Sequence, residues 1–185
     1  MSQYRIGVVV GSLRRESFNR RLAQALTTMA PEKLSMRILQ IGDLPLYNQD
    51  DDSHPADTVV RLKREISECD GIIFVTPEYN RSMPGVLKNA LDHASRPYGQ
   101  SAWAGKPAGV VGASVGAPGT SMAQQHLRNV LAYLDMPTMG QPEIFLQVKD
   151  GTFDASGKPE ASLAKLLQGW LDRYLKWVGQ HVTAR

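Results

Sequence analysis

Five short apolar runs alternate with five amphipathic stretches along the 185 residues of this chain. The runs fall at residues 6–10, 34–41, 72–75, 108–113 and 143–148. In the stretches that follow them, apolar residues recur three and four positions apart, which is the spacing of a helix with one buried face. The clearest of these stretches is the last, over residues 163–182. The pattern predicts alternating strands and helices.

Alternating strands and helices predict a doubly wound α/β fold with a five-stranded parallel sheet, in a single domain over residues 1–185. The run 72–75 is apolar at every position, as expected of a central strand that helices cover on both faces. We expect the strand order 2-1-3-4-5. In that order ligands bind beyond the carboxyl ends of the first and third strands, where the direction of winding reverses.

A polar stretch that we name the phosphate loop, residues 11–19, follows the first strand. Gly11 allows close approach of the backbone, Arg14 offers a planar fork of donors, and the helix that begins here directs its free N–H groups at the loop. Small donors stand at Ser12, Ser17 and Asn19. These groups suit an anion, and we interpret the stretch as a cradle for one phosphate group.

Two better-known phosphate-binding motifs do not fit this loop. It lacks the Gly-Lys-Ser/Thr ending of nucleotide hydrolases. It also has one glycine where the dinucleotide fingerprint needs three, because bulky Leu13 and Arg14 stand where glycine would let a pyrophosphate approach. A plainer interpretation stays open at this point, in which Ser17 only caps the helix and the arginines are solvated.

A second polar stretch, the ring loop at residues 76–82, follows the third strand. It supplies a proline, a carboxylate, an aromatic ring and an amide at Pro77, Glu78, Tyr79 and Asn80. These groups suit a flat heterocycle with polar edges, since a tyrosine packs on such a ring and an amide bonds to its edge. An ordinary polar loop before a helix that starts at Pro84 explains the same residues, so both interpretations stay open.

The topology brings these two loops together at neighbouring strand ends, where a ligand is expected. A phosphate and a heterocycle are the two ends of a mononucleotide. A third turn of small residues, the third loop at residues 114–121, follows the fourth strand. The sequence therefore predicts one mononucleotide bound across this edge of the sheet.

Composition narrows the classes of function. Apolar residues make up 42% and charged residues 21% of the chain, as in ordinary globular proteins. The net charge of +3 comes from no long basic run, which gives little support to nucleic-acid binding. No apolar run reaches the roughly 20 residues of a membrane span, and the chain opens without a signal-peptide pattern. We therefore expect a cytoplasmic protein.

Three other features are assigned structural roles. The single Cys69 is expected to be a small buried residue. The adjacent aspartates at 50–52 are expected to be solvated or to favour the start of the next helix, and we predict no metal site. His126 falls in the apolar stripe of the fourth helix, which favours a packing or interface role over ligand binding.

Three motifs are similar, in the same order, to those of a known family, and the resemblance extends along nearly the whole chain. They are Gly11-Ser12-Leu13-Arg14 with Ser17 and Asn19, then Pro77-Glu78-Tyr79-Asn80, then Pro84-Gly85 leading to Leu87-Lys88-Asn89-Ala90-Leu91-Asp92. The chain resembles the NADPH-dependent FMN reductases, the flavodoxin-like group that includes bacterial quinone, chromate and azo-dye reductases. The resemblance covers both loops that the residues themselves indicate.

The resemblance implies FMN as the cofactor and assigns the contacts to it. The phosphate would be held by Ser12, Arg14, Ser17 and Asn19. The isoalloxazine would be lined by Pro77, Glu78, Tyr79 and Asn80, with Ser114 and Gly116 on its other side. The implied activity is an NAD(P)H oxidoreductase with ping-pong kinetics, in which quinones or other soluble acceptors are reduced, with NADPH preferred to NADH as the donor.

A flavin performs the electron transfer itself, so no catalytic side chain is expected. Glu78 is expected to position the flavin or the loop backbone, and Arg15 and Arg81 are candidates for contacting the phosphates of NAD(P)H. Two other functions remain open: a flavodoxin-type electron carrier, and an FMN-binding regulatory protein without nicotinamide turnover. Carriers of that type tend to be acidic, whereas this chain is mildly basic.

An open sheet leaves the ring of a bound flavin partly exposed, and a second subunit would supply a wall. The resemblance also implies an oligomer, and we expect a homodimer or homotetramer. The candidate contact surfaces are a segment with Tyr98 and Trp103 and the helix with His126 and Arg128.

Overall fold

The structure is a computed structural model and describes residues 3–182. Within that range the strands are β1 (Tyr4–Val10), β2 (Leu34–Leu39), β3 (Gly71–Val75), β4 (Ala108–Ser114) and β5 (Phe145–Gln147). The α-helices are α1 (Phe18–Thr28), α2 (Asp57–Ser67), α3 (Gly85–Ala94), α4 (Ser121–Tyr133) and α5 (Ala161–His181). A short 3-10 turn, Gln49–Asp51, lies between β2 and α2. The predicted alternation of strands and helices is confirmed.

The five strands form one parallel sheet in the order β2-β1-β3-β4-β5, as predicted. Val10 at the end of β1 pairs with Val75 at the end of β3, so the carboxyl ends of these two strands lie side by side. The phosphate loop and the ring loop therefore start next to each other. Their contact begins in the backbone, because the N–H of Gly11 donates to the carbonyl of Val75 over 2.9 Å.

Two hydrophobic cores flank the sheet because successive strand residues point to opposite faces. In β3, Ile73 and Val75 belong to the core under α1 and α5, and Ile72 and Phe74 to the core under α2, α3 and α4. All four side chains are fully buried. The strand is apolar throughout because helices cover it on both sides.

A stacked aromatic pair in α5 packs so closely on the sheet that two sheet positions must be glycine. The rings of Trp170 and Tyr174 are 5.4 Å apart and nearly parallel. A Cβ on Gly109 would lie 2.6 Å from the Trp170 ring, and one on Gly71 would lie 2.7 Å from the Tyr174 hydroxyl. That hydroxyl shares its proton between the carbonyls of Ile72 and Pro107, at 3.0 and 3.2 Å. Burial raises the pKa of Tyr174 well above its usual value.

Several predicted details are wrong at the ends of the sheet. The fifth strand, predicted over 143–148, covers only Phe145–Gln147. The strand starts late because Pro142, just before the predicted start, has no N–H for a ladder hydrogen bond. The next residue, Glu143, lies outside the strand, with its carboxylate 3.5 Å from the Arg128 guanidinium. The second strand ends at Leu39 rather than at 41.

Trp103 and His126, two residues proposed to contact a second subunit, differ in burial from the prediction. Trp103 is fully buried: its ring lies 5.7 Å from that of Phe74, and its Nε1 donates to the Leu91 carbonyl. An indole that closes a core in this way cannot contact a second subunit. His126 is exposed rather than part of the buried stripe of α4. Cys69 is buried, as predicted, and burial raises the pKa of its thiol.

Candidate flavin site

The phosphate loop ends at the N-terminus of α1, and the side chain of Ser17 caps that helix. Its Oγ accepts a hydrogen bond from the N–H of Arg20 at 3.2 Å. Ser12 and Ser17 are both buried, whereas Arg14 and Arg15 are exposed. The capping interpretation is therefore correct, and it is compatible with anion binding, because the Ser17 hydroxyl keeps its own proton to donate.

The positive charge of this loop is only partly neutralised. Arg21 pairs with Glu16 over 2.9 Å. Within residues 3–182, Arg14 and Arg15 form no ion pair, and the Arg14 guanidinium lies 5.8 Å from the centre of the Phe18 ring. Two free guanidinium groups beside the positive end of a helix make an environment that favours an anion.

Asn19 links the phosphate loop to β4. Its amide donates to the carbonyl of Ala113 at 2.8 Å and accepts from the N–H of the same residue at 2.9 Å. The amide thus pairs with the β4 backbone in the way a neighbouring strand would, just where β3 ends at Val75 and Pro77 offers no N–H. One amide hydrogen of Asn19 makes this contact, and the amide has a second hydrogen to donate.

The ring loop contains a tight turn from Tyr79 to Ser82, whose backbones bond to each other in both directions, at 2.9 and 3.0 Å. Both central residues have left-handed backbones, with φ of 51° at Asn80 and 69° at Arg81. Asparagine tolerates this conformation, but for arginine it costs about 1–2 kcal/mol. Tyr79 is 51% exposed, so its ring is available to pack against a ligand.

Contacts to α4 hold this turn in place. The Oε2 atom of Glu78 accepts from the N–H groups of Met122 and Ala123, each at 3.1 Å. The guanidinium of Arg81 donates to the Met122 sulfur at 3.1 Å. Ser82 Oγ and His126 Nδ1 share a hydrogen bond of 3.0 Å. The last contact explains why His126 lies outside the buried stripe of its helix.

The third loop completes the edge of the sheet next to the ring loop. Ser114 ends β4, and its Oγ accepts from the N–H of Gly116 at 3.2 Å. Gly112 lies two residues earlier in β4 and admits no side chain. A Cβ there would lie 2.2 Å from the Thr76 carbonyl oxygen and 2.3 Å from Thr120 Oγ1. This glycine lets the ring loop and the third loop approach each other, and sequence reasoning missed it because the glycine stands inside an apolar strand.

The donor set fits a flavin mononucleotide. The N-terminus of α1 and the free Arg14 suit a single phosphate, and the two loops that flank Gly112 suit a flat ring whose edges need polar contacts. No group of three or more His, Cys, Asp and Glu side chains within residues 3–182 is arranged to hold a metal ion. In the same range, no helix combines the length and apolar character needed to cross a membrane.

A cavity of about 320 Å³ lies away from this edge, between the segment after β2, the start of α2 and the end of α3. Its lining includes Lys63, whose pKa is lowered by burial, and His93, whose Nε2 lies 2.9 Å from the Pro45 carbonyl. None of the predicted flavin contacts lines it. The candidate flavin site is therefore the open edge of the sheet and not this cavity.

Comparison with known proteins finds one consistent group of similar chains. The sequence profile of the family described as NADPH-dependent FMN reductase matches residues 4–150. A 2-hydroxy-1,4-benzoquinone reductase from a Burkholderia species is 53% identical over 175 residues, which are 94% of this chain and 96% of that protein. A quinone reductase from Pseudomonas putida is 51% identical over 180 residues, or 96% and 97% of the two chains.

A solved structure is similar over the same length. It is FerB, a flavoenzyme NAD(P)H:(acceptor) oxidoreductase from Paracoccus denitrificans, with a TM-score of 0.92 and 42% identity. The match covers 96% of this chain and 98% of that one. Fold and sequence therefore point to the same group of flavoenzymes.

Proposed function

The chain belongs to the NADPH-dependent FMN reductase family, and we propose that it reduces quinones with electrons from NAD(P)H. It is an FMN-dependent oxidoreductase that uses NAD(P)H, as the family and the relatives of 42–53% identity establish. Quinones are proposed as acceptors because two of those relatives are named as quinone reductases. A cytoplasmic location is part of the proposal, since NAD(P)H is the electron donor.

The observation that carries the site assignment is the convergence of three loops at one sheet edge, with a free Arg14 at a helix N-terminus. We assign the FMN phosphate to Ser12, Arg14, Ser17 and Asn19. The ring is assigned to Pro77, Glu78, Tyr79 and Asn80 on one side and to Ser114 and Gly116 on the other. Arg15 and Arg81, both exposed, are proposed to meet the phosphates of NAD(P)H.

FMN, when bound, accepts a hydride from NAD(P)H and passes the electrons to the acceptor. The chain contributes binding and access. Tyr79 is exposed and the third loop consists of small residues, and we propose that donor and acceptor approach the flavin from the same side and occupy the same space in turn.

Steady-state kinetics with NADPH and a benzoquinone test this proposal. Donor and acceptor that share one space predict parallel lines in double-reciprocal plots, with each substrate inhibiting at high concentration. Intersecting lines would indicate a ternary complex and contradict the shared space. Free FMN at the same concentration is the control, because turnover no faster than this control would favour an electron carrier or a regulatory protein.

We also propose a homodimer or homotetramer. The support is the open edge of the site and the exposure of aromatic side chains elsewhere on the surface, such as Tyr98, which is 85% exposed. With Trp103 buried and Arg128 bonded to the Met139 carbonyl at 2.7 Å, Tyr98 and His126 remain as candidate contacts. Light scattering at micromolar concentration tests this proposal, and a fully active monomer would contradict it.

A further inference from the structure

Helix α4 is capped by a residue from another part of the chain. Its own N-cap residue, Thr120, makes no capping bond with its side chain, and Thr120 Oγ1 instead accepts from Gln124 Nε2 at 2.9 Å. The N–H groups that Thr120 leaves free, those of Met122 and Ala123, donate to Glu78 Oε2. A carboxylate at this position satisfies two backbone donors and lies at the positive end of the helix.

The same carboxylate stands directly before the turn that presents the ring loop. Two consecutive left-handed residues, Asn80 and Arg81, form the centre of that turn. Such a conformation persists only where its surroundings hold it. Glu78 on one side of the turn and Ser82 on the other both contact α4, so the helix end fixes both sides of the turn.

We propose that Glu78 is a positioning residue that orders the ring loop before FMN binds, by joining the loop to the N-terminus of α4. The inference rests on the proposed function only in taking the ring loop as the flavin contact. If the loop has to be ordered at the moment of binding, part of the affinity is lost to that ordering. Glu78 prevents this loss.

The geometry of the Glu78 contact allows substitutions to distinguish a positioning role from a direct effect of the carboxylate charge on the flavin. Both N–H groups donate to a single oxygen, Oε2, so the carbonyl oxygen of a glutamine can accept both bonds without a charge. An aspartate keeps the charge, but its carboxylate is one methylene closer to the backbone and does not reach both donors. Positioning therefore predicts that Glu78→Gln resembles the wild type and that Glu78→Asp resembles Glu78→Ala.

The experiment measures thermal unfolding of the apoprotein and titration of the apoprotein with FMN for these three variants. We expect Glu78→Ala and Glu78→Asp to lower the unfolding midpoint and to weaken FMN binding by about three- to thirtyfold, the factor that corresponds to a lost helix cap. Glu78→Gln is expected to keep both values near those of the wild type. Asp150→Asn is the control, because it removes an exposed carboxylate that follows β5 and that accepts no hydrogen bond from the N-terminus of α4 within residues 3–182.

The last measurement is the redox midpoint potential of FMN bound to the wild type and to Glu78→Gln. Positioning predicts equal potentials for Glu78→Gln and the wild type, whereas a charge acting on the flavin predicts a shift. FMN binding in Glu78→Gln as weak as in Glu78→Ala, or unchanged binding in Glu78→Ala, would overturn the proposal. If the wild type itself bound no FMN, the proposed function would fail instead. The thermal unfolding midpoints of the apoprotein variants would then still show whether Glu78 caps α4.

Discussion

Single residues at the sheet edge combine a structural contact with a second group that we propose binds the FMN phosphate. Ser17 caps α1 and keeps a hydroxyl proton, and Asn19 pairs with Ala113 and keeps an amide hydrogen. The Arg14 guanidinium lies 5.8 Å from the centre of the Phe18 ring and forms no ion pair within residues 3–182. Residues held in this way keep their geometry whether or not a ligand is present, so the site needs little rearrangement to bind.

Replacement of Arg14 by alanine tests the phosphate assignment. Loss of a charge-assisted hydrogen bond to phosphate is expected to cost about 1.5–3 kcal/mol, or roughly ten- to a hundredfold in FMN affinity. The fold is expected to survive because the side chain is exposed. The measurement is a titration of the apoprotein with FMN, with circular dichroism to verify the fold. Arg20→Ala removes a neighbouring exposed arginine as the control, and equal affinities in the two variants would refute the assignment.

Arg81 has two roles that substitution can separate. Its left-handed backbone is unfavourable for any residue with a Cβ, and its exposed guanidinium is our candidate for a phosphate of NAD(P)H. Both Arg81→Gly and Arg81→Ala remove the cation and its contact with the Met122 sulfur, and only Arg81→Gly also relieves the backbone. We expect both variants to raise KM for NADPH, and the glycine variant to be more stable than the alanine variant by about 1 kcal/mol. Denaturant unfolding and steady-state kinetics measure the two effects, and an unchanged KM would exclude Arg81 from donor binding.

At the scale of elements, hydrophobic periodicity predicted five strands and five helices, and the parallel strand order came from their alternation and the rules of doubly wound folds. The periodicity located the strands because runs such as 72–75 are buried on both faces. It could not locate contacts between distant residues, such as Glu78 with the start of α4, because a cap taken from another element leaves no local pattern. Trp103 was wrongly placed on the surface for a related reason. An aromatic residue in an irregular segment carries no periodic signal that shows which way it points.

The contact between α5 and the sheet makes stability depend on pH through Tyr174. Burial raises the pKa of Tyr174 in the folded state, while in the unfolded state it is about 10. The contribution of the neutral hydroxyl is therefore complete below about pH 10 and is lost as the pH rises through the folded-state pKa, by about 1.4 kcal/mol per pH unit. We expect the free energy of unfolding to fall in alkaline solution, and to fall less steeply in Tyr174→Phe.

Urea unfolding at a series of alkaline pH values measures this difference. Tyr133→Phe is the matched control, because Tyr133 is 83% exposed and the substitution removes the same hydroxyl outside the core. Tyr174→Phe is also expected to be less stable near neutral pH, by about 0.5–1.5 kcal/mol for the lost hydrogen bond. Identical pH dependence in the wild type and in Tyr174→Phe would show that the phenol does not limit alkaline stability.

At the scale of the whole molecule, the proposed FMN site draws on strands from the centre of the sheet. Its three loops follow β1, β3 and β4, and unfolding of the domain separates all of them. A ligand held by all three binds the folded chain and not the unfolded one. Binding and folding are therefore linked by mass action.

This linkage predicts how much FMN stabilises the domain. Free FMN at about a hundred times its Kd is expected to add about 2.7 kcal/mol, which raises the unfolding midpoint of a chain of this size by roughly 5–11 °C. At the same concentration, a tenfold weaker Arg14→Ala variant would gain only about 1.4 kcal/mol. FAD is expected to stabilise less than FMN, because the loop after β1 offers one phosphate cradle and Leu13 stands where a pyrophosphate would need glycine. Thermal unfolding of the apoprotein with each flavin measures these shifts, and equal shifts for FMN and FAD would contradict a mononucleotide site.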